Sequence, residues 1–216
     1  MPRVLSARTV VVSFWLLAFA GALLLSLLAV WHDTLPGDAW LSEWVQARQF
    51  PGQRFADAVR TVTDTQVVLV TGAGAVVALW LLGQRSAAVL LAAGLIALPL
   101  LQGGVKELVD RPRPDDALVV VRAGASSDSF PAGHVMSPTY LYGFLLYAAW
   151  RLRAPPTLRI GVACWSALTL IATGPVNVWL GVHWPSDVVG GYLWGLVLLL
   201  PLVFALELSR QRGGQT

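Results

Sequence analysis

The stretch TVVVSFWLLAFAGALLLSLLAVW, residues 9–31, contains no charged residue. A helix needs about 20 apolar residues to cross the hydrocarbon core of a bilayer, so a run of this length points to lipid as the solvent. Five more apolar runs follow, and together they predict spanning helices over about 9–31, 66–83, 86–105, 135–152, 160–182 and 188–206. The fourth carries Ser137, Thr139, Tyr140 and Tyr142 and is the weakest of the six on hydropathy. The expected fold is all-α: a polytopic membrane protein, a six-transmembrane-helix bundle forming one domain over residues 1–216.

Composition points the same way. Of the 216 residues, 56% are hydrophobic and 12% charged, against roughly 25% charged in soluble domains. Arg3 and Arg8 precede the first run as they would in a signal peptide. The run is longer than a signal peptide's apolar core, and no A-x-A-like site follows it, so it reads as a span. The single cysteine, Cys164, lies inside the fifth run, which rules out an intramolecular disulfide. A basic balance would suggest nucleic acid in a soluble protein. Here the arginines cluster at span ends, topology accounts for them, and no nucleic-acid partner is expected.

Six spans put both termini on one face. That face carries Arg3, Arg8, Arg85, Arg151, Arg153, Arg159, Arg210 and Arg212 against one acid, Glu207. The other carries Arg48, Arg54, Arg60, Lys106, Arg111, Arg113 and Arg122 with the remaining acids. The totals barely differ, but Arg151, Arg153 and Arg159 crowd one short connection. The expectation is a multi-pass protein of the cell membrane with cytoplasmic termini and an extracytoplasmic polar face. The longest polar connection, 33–64, repeats Trp40, Leu41, Trp44 and Val45, then Phe55, Val59 and Val62, at helical spacing. It predicts an amphipathic interfacial segment of one or two helices, broken near Pro51 and Gly52. Such a segment could be a packing lid or a substrate gate.

Three polar clusters interrupt the apolar pattern, and all three fall on the same expected face. Lys106-Glu-Leu-Val-Asp-Arg111-Pro-Arg113-Pro114 closes the third span, Ser129-Phe-Pro131-Ala-Gly133-His134 opens the fourth, and Gly181-Val-His183-Trp-Pro185-Ser-Asp187 joins the last two. Ionisable groups near lipid are costly and are functional candidates by default. Lys106 and Arg113 can set a point charge and a planar fork on one tetrahedral anion. Gly133 opens a helix, whose free N–H groups favour the same anion. Asp187, four residues after His183, can fix the imidazole's tautomer. Taken singly, each has a bland reading: a topology signal for Lys106 or Arg113, a cap for His134, half a metal site for His183 with Asp187. No further histidine, cysteine or acidic cluster completes a metal ligand set, so no metal is expected.

Together these residues resemble a known family. Lys106 with Arg113-Pro114, then Pro131-Ala-Gly133-His134, then His183 with Asp187, look like the three-part signature of the type 2 phosphatidic-acid phosphatase superfamily, which includes acid phosphatases and vanadium haloperoxidases. The resemblance implies that His183 is a nucleophile forming a phosphohistidine, that Asp187 orients it, and that His134 is the general acid. It also implies that Lys106, Arg113 and the Gly133 amide bind phosphate, without metal or other cofactor. Two departures stand out. Ala132 replaces the usual serine of the second motif, and Val176-Asn177 replaces the Ser-Arg that usually precedes the third motif's histidine. Losing a preorganised transition-state donor costs about 2.7 to 4 kcal/mol. Asn177 can supply one neutral hydrogen bond at that position, and Arg111 or Arg122 are auxiliary candidates.

The leading expectation is a lipid phosphate or pyrophosphate phosphatase acting at the outer membrane face. Polyprenyl pyrophosphate, phosphatidic acid and phosphatidylglycerol phosphate are the candidate substrates. The alternative is a weakened family member that binds lipid phosphates without efficient turnover. A transporter has no support, because no charge interrupts the middle of any span.

Overall fold

The computed structural model describes residues 7–48, 52–152 and 154–213, with side chains from 9 to 209 within them. Arg3, Pro51 and Arg153, and the side chains of Arg8, Arg210 and Arg212, lie outside what is described. The described residues form α1 (Ala7–Trp31), α2 (Asp38–Gln46), α3 (Gln53–Thr63), α4 (Thr65–Leu81), α5 (Arg85–Val109), α6 (Gly133–Arg151), α7 (Pro156–Trp179) and α8 (Pro185–Gly213), and no strand.

Four helices are long and apolar enough to cross a membrane: α1, α5, α7 and α8. A fifth crossing arises if α3 and α4, bent by 50° at their junction, count as one broken span. The break has a local cause: Asp64 leaves helical geometry and its carboxylate caps α4, accepting from Gln66 N at 2.8 Å. α6 does not qualify on hydropathy, because it faces protein rather than lipid. From Gly133 to Phe144 every residue except His134 and Gly143 is buried. Its polar side chains are satisfied by neighbouring helices: Tyr140 donates to Leu91 O, Tyr142 to Val62 O, and Ser137 meets Thr65 and Gln102. A helix buried on all sides can be polar where a lipid-facing one cannot. α1 shows the opposite pattern, with Leu16, Leu17, Leu24 and Leu27 all exposed.

α8 lies against α6 because its small residues admit the neighbouring backbone. A Cβ on Gly191 would come 2.7 Å from Ala132 O, and one on Gly195 would come 2.9 Å from Met136 O. The spacing Gly-x-x-x-Gly puts both on one face of α8, where van der Waals packing replaces the hydrophobic drive that lipid does not supply. The expected amphipathic segment is two helices. α3 buries Ala56, Val59 and Thr63, and its apolar face packs on Val176, Leu180 and Val182. α2 leaves Trp40 and Trp44 exposed, as suits an interfacial helix.

The ends of α2, α5 and α8 are tied together by Arg111, whose side chain is fully buried. It donates to Asp187 Oδ1 at 2.6 Å, Asp38 Oδ2 at 2.8 Å, Ser186 Oγ at 2.8 Å and Asp33 O at 3.1 Å. Asp38 in turn accepts from the Ser186 amide at 2.9 Å and the Leu35 amide at 3.0 Å. Arg111→Met should therefore leave two buried carboxylates without their counter-charge and cost about 3 to 5 kcal/mol. The unfolding midpoint in detergent reads this directly, and an unchanged midpoint would show that the hub carries no stability.

Candidate active site

The three clusters converge. Lys106, Arg113, Gly133, His134 and His183 line one cavity of about 330 Å³, and Asp187 stands behind His183. Each gets there for a local reason. α5 closes at Asp110, whose left-handed conformation (φ 47°) turns the chain into the loop that carries Arg113. Lys106, in the last turn of α5, donates to Asp128 O. His134 follows Gly133 in the first turn of α6, and Thr173 of α7 donates to its carbonyl at 2.7 Å. His183 precedes Pro185, which starts α8.

Arg113 is fixed on several sides. Its Nε donates to Ser127 O at 2.6 Å, its Nη2 to Asp128 O at 3.3 Å, and its Nη1 to Val182 O. Nη1 also lies 3.3 Å from His183 Nε2. A guanidinium has only donors, so this contact is a hydrogen bond only when Nε2 presents its lone pair. The ring proton then sits on Nδ1, which faces Asp187 Oδ2 at 3.6 Å, an electrostatic contact longer than a normal hydrogen bond. Asp187 is itself held rigidly: Oδ2 accepts from Ser129 Oγ and from the Trp184 amide at 2.8 Å, and Oδ1 from Arg111. Burial, reinforced by Arg113 and Lys106, pushes the His183 imidazole down to about 3, against the opposing pull of Asp187. The ring is therefore neutral at ordinary pH, with Nε2 unprotonated and aimed at the cavity. Burial likewise lowers Arg113 below its usual range, with Asp187 opposing.

The remaining candidates lie elsewhere. Asn177 is fully buried in α7, donating to Thr173 O at 2.7 Å, and does not line the cavity. Arg111 is committed to the hub behind Asp187. Arg122 donates to Trp179 O at 2.6 Å and stacks over the Trp179 ring, beside a different cavity. Ala132 is buried against Val135, Val178 and Val188, so its methyl group serves packing. The cavity's other walls were not singled out in the sequence: Arg60 from α3, Asp64 and Thr65 at the α3–α4 bend, Gln102 from α5, and residues 124–127 of the loop before α6. Asp64 Oδ2 lies 3.7 Å from His134 Nε2. Asp38, which completes the Arg111 hub, was likewise missed. None of these belongs to a spaced motif, and Arg60 looks from sequence like one charge on an amphipathic helix.

This arrangement has a neutral imidazole, a second histidine beside a carboxylate, and a lysine and an arginine, all lining one cavity. It is suited to holding a tetrahedral oxyanion while a nitrogen attacks it.

The chain is similar to known proteins. Phosphatidylglycerophosphatase B of Bacillus subtilis (strain 168) is 35% identical over 102 residues, which cover 46% of this chain and 48% of that protein. The chain thus matches about half the length of this curated relative. The crystal structure of a transmembrane PAP2 type phosphatidylglycerolphosphate phosphatase from Bacillus subtilis superposes with a TM-score of 0.72 at 22% identity, covering 92% of this chain and 96% of that one. The fold is therefore that of an all-helical, multi-pass membrane protein. Residues 87–210, more than half of the chain and the part that carries all three clusters, match the family described as the PAP2 superfamily. With the cavity assembled from those same clusters, the chain belongs to the PAP2 superfamily.

Proposed function

We propose that this protein hydrolyses a lipid phosphate or pyrophosphate without metal, at the extracytoplasmic face of the cell membrane, through a phosphohistidine. The observation that carries this reading is Arg113 at 3.3 Å from His183 Nε2, inside a cavity shared with His134 and Lys106. Phosphate bound by Lys106, Arg113 and the Gly133 amide would present its phosphorus to the Nε2 lone pair. As the N–P bond forms, the ester or anhydride P–O bond breaks and His134 gives its proton to the departing oxygen. Water then attacks the phosphohistidine, His134 takes the water's proton, and inorganic phosphate leaves with His183 neutral again. Asp64 and the bound phosphate together supply the negative charge that an imidazolium needs among Arg60, Lys106 and Arg113. Asp187 holds the Nδ1 proton and so directs attack through Nε2.

Six spans, with α6 as the buried fourth and α3 resting at the interface as a lead-in to α4, agree with this reading. An even number of spans would put both termini on one side, which we take to be the cytoplasm, and the cavity at headgroup level on the other. An amphiphilic substrate could then keep its tail in lipid while its phosphate enters the basic cavity. In a Cys164→Ser background, an impermeant thiol reagent added to intact cells should label Asp116→Cys and spare Arg85→Cys. The reverse pattern would invert the orientation.

Detergent-solubilised protein should release inorganic phosphate from at least one of phosphatidic acid, phosphatidylglycerol phosphate and polyprenyl pyrophosphate in the presence of a chelator. Binding of all three without release would favour the weakened, non-hydrolytic family member. The two histidines should separate. His183→Ala should abolish both turnover and any trapped phosphoenzyme. His134→Ala should slow turnover by about 10² to 10⁴-fold while still forming phosphoenzyme from a substrate with a good leaving group. Equal trapping in both variants would refute the assignment of roles.

A further inference from the structure

The third motif lacks its usual arginine, yet the cavity contains one that no motif supplies. Arg60 comes from α3, which is docked on α7 through Ala56 and Val59. The apolar cluster it joins includes Val176, one of the two residues that replace the usual Ser-Arg, with Leu180 and Val182. Next to the lost arginine, where the motif usually has serine, Val176 is thus part of the apolar seat that brings Arg60, next to Val59, to the cavity wall. Arg60 is half-buried. Among the described residues its guanidinium has no hydrogen-bond or ion-pair partner, although Asp57 and Asp64 lie near enough to act on its charge. Arg111, Arg113 and Arg122 all have such partners. A half-buried guanidinium facing a cavity is a fork waiting for an anion.

Its position within the cavity distinguishes it from Arg113. Arg113 touches His183. Arg60 lies four residues before Asp64, the residue that faces His134 Nε2 at 3.7 Å. Of the cations around His134, Arg60 acts on it most strongly, ahead of Arg113 and Lys106, whereas those acting on His183 are Arg113 and Lys106. Phosphoryl transfer keeps the attacking atom and the leaving oxygen roughly in line on opposite sides of phosphorus. Arg60 also acts on Arg113, so, given the roles proposed above for His183 and His134, it lies between the transferred phosphate and the leaving group.

We propose that Arg60 is a specificity-determining residue that binds a second phosphate carried by the leaving group. In phosphatidic acid the leaving group is a neutral diacylglycerol and offers Arg60 nothing. In a lipid pyrophosphate it is a lipid phosphate, with its charge next to the breaking bond. In phosphatidylglycerol phosphate it carries a phosphodiester one glycerol away. A second phosphate is common to the last two, and Arg60 would select them over phosphatidic acid.

The test compares Arg60→Gln with the wild type on these three lipids. Any effect of the lost charge on His134 is common to all substrates, so the variant should lose about 10- to 100-fold more in kcat/KM on the substrate that the protein uses through its second phosphate than on phosphatidic acid. A loss confined to polyprenyl pyrophosphate shows that Arg60 reads the adjacent phosphate, and one confined to phosphatidylglycerol phosphate shows that it reads the remote diester. Arg60→Lys should recover part of the loss, since it restores charge without the fork. An equal loss on all three lipids would overturn the proposal, because Arg60 would then be acting on the transferred phosphate or on the fold, and so would no loss on any. If the wild type releases phosphate from none of them, the proposed function fails separately and binding decides. Wild type should bind inorganic pyrophosphate or soluble glycerophosphoglycerol phosphate at least about 10-fold more tightly than inorganic phosphate, and Arg60→Gln should lose that preference. A preference absent in the wild type, or kept in the variant, overturns the proposal.

Discussion

The site depends on a buried arginine that never touches its cavity. Arg111 lies between Asp187 and Asp38 with no exposed side-chain surface. Each of these charges would be prohibitively costly alone in a low-dielectric interior, and the three are tolerable because they are paired and hydrogen-bonded on every side. Such a cluster contributes position more than stability. Asp187 is fixed by Arg111, Ser129 and the Trp184 amide, and so the tautomer of His183 is fixed in turn. Because Asp38 opens α2, Ser186 lies in the first turn of α8 and Arg111 follows α5, the hub also registers three helix ends against one another.

Around that hub the bundle divides its surfaces by solvent. α1 offers leucines outward and makes its polar contacts inward, with Trp15 donating to Val197 O at 3.0 Å. α6 spends its polar groups on neighbours, which is why a helix so poor in hydropathy sits at the centre. At the opposite end from the cavity, Glu207 accepts from Tyr147 and Arg151 at 2.5 Å each. This pairing balances the charge of an acid near the end of α8.

The third motif shows how a change in one element can be met by another. Where a Ser-Arg pair would place a cation from α7, Val176 instead seats α3, and Asn177 turns back onto Thr173. A third cation in the cavity, Arg60, arrives from a helix outside every motif. Ala132 follows the same logic on a smaller scale, since its methyl group packs against Val135, Val178 and Val188.

Much of this was legible in the sequence, because both the spans and the motifs are local. Charge-free runs such as 9–31 and 188–206 must be helices in lipid, where no other conformation satisfies the backbone, and α1 and α8 begin and end within a few residues of those runs apart from the longer C-terminal end of α8. Lys106, Arg113, His134 and His183 could be expected to meet because three clusters shared one face. What the sequence could not decide was which of several arginines faces the cavity. Arg111, Arg113 and Arg122 follow one another closely in one loop, yet one enters a buried hub, one meets His183 and one stacks on Trp179. Arg60 reaches the same cavity from far away in sequence. Hydropathy and spacing place a charge at a depth and on a face. The direction of its side chain depends on which helices pack beside it, and only the tertiary structure, through the seating of α3 on Val176 and of α8 on α6, determines that.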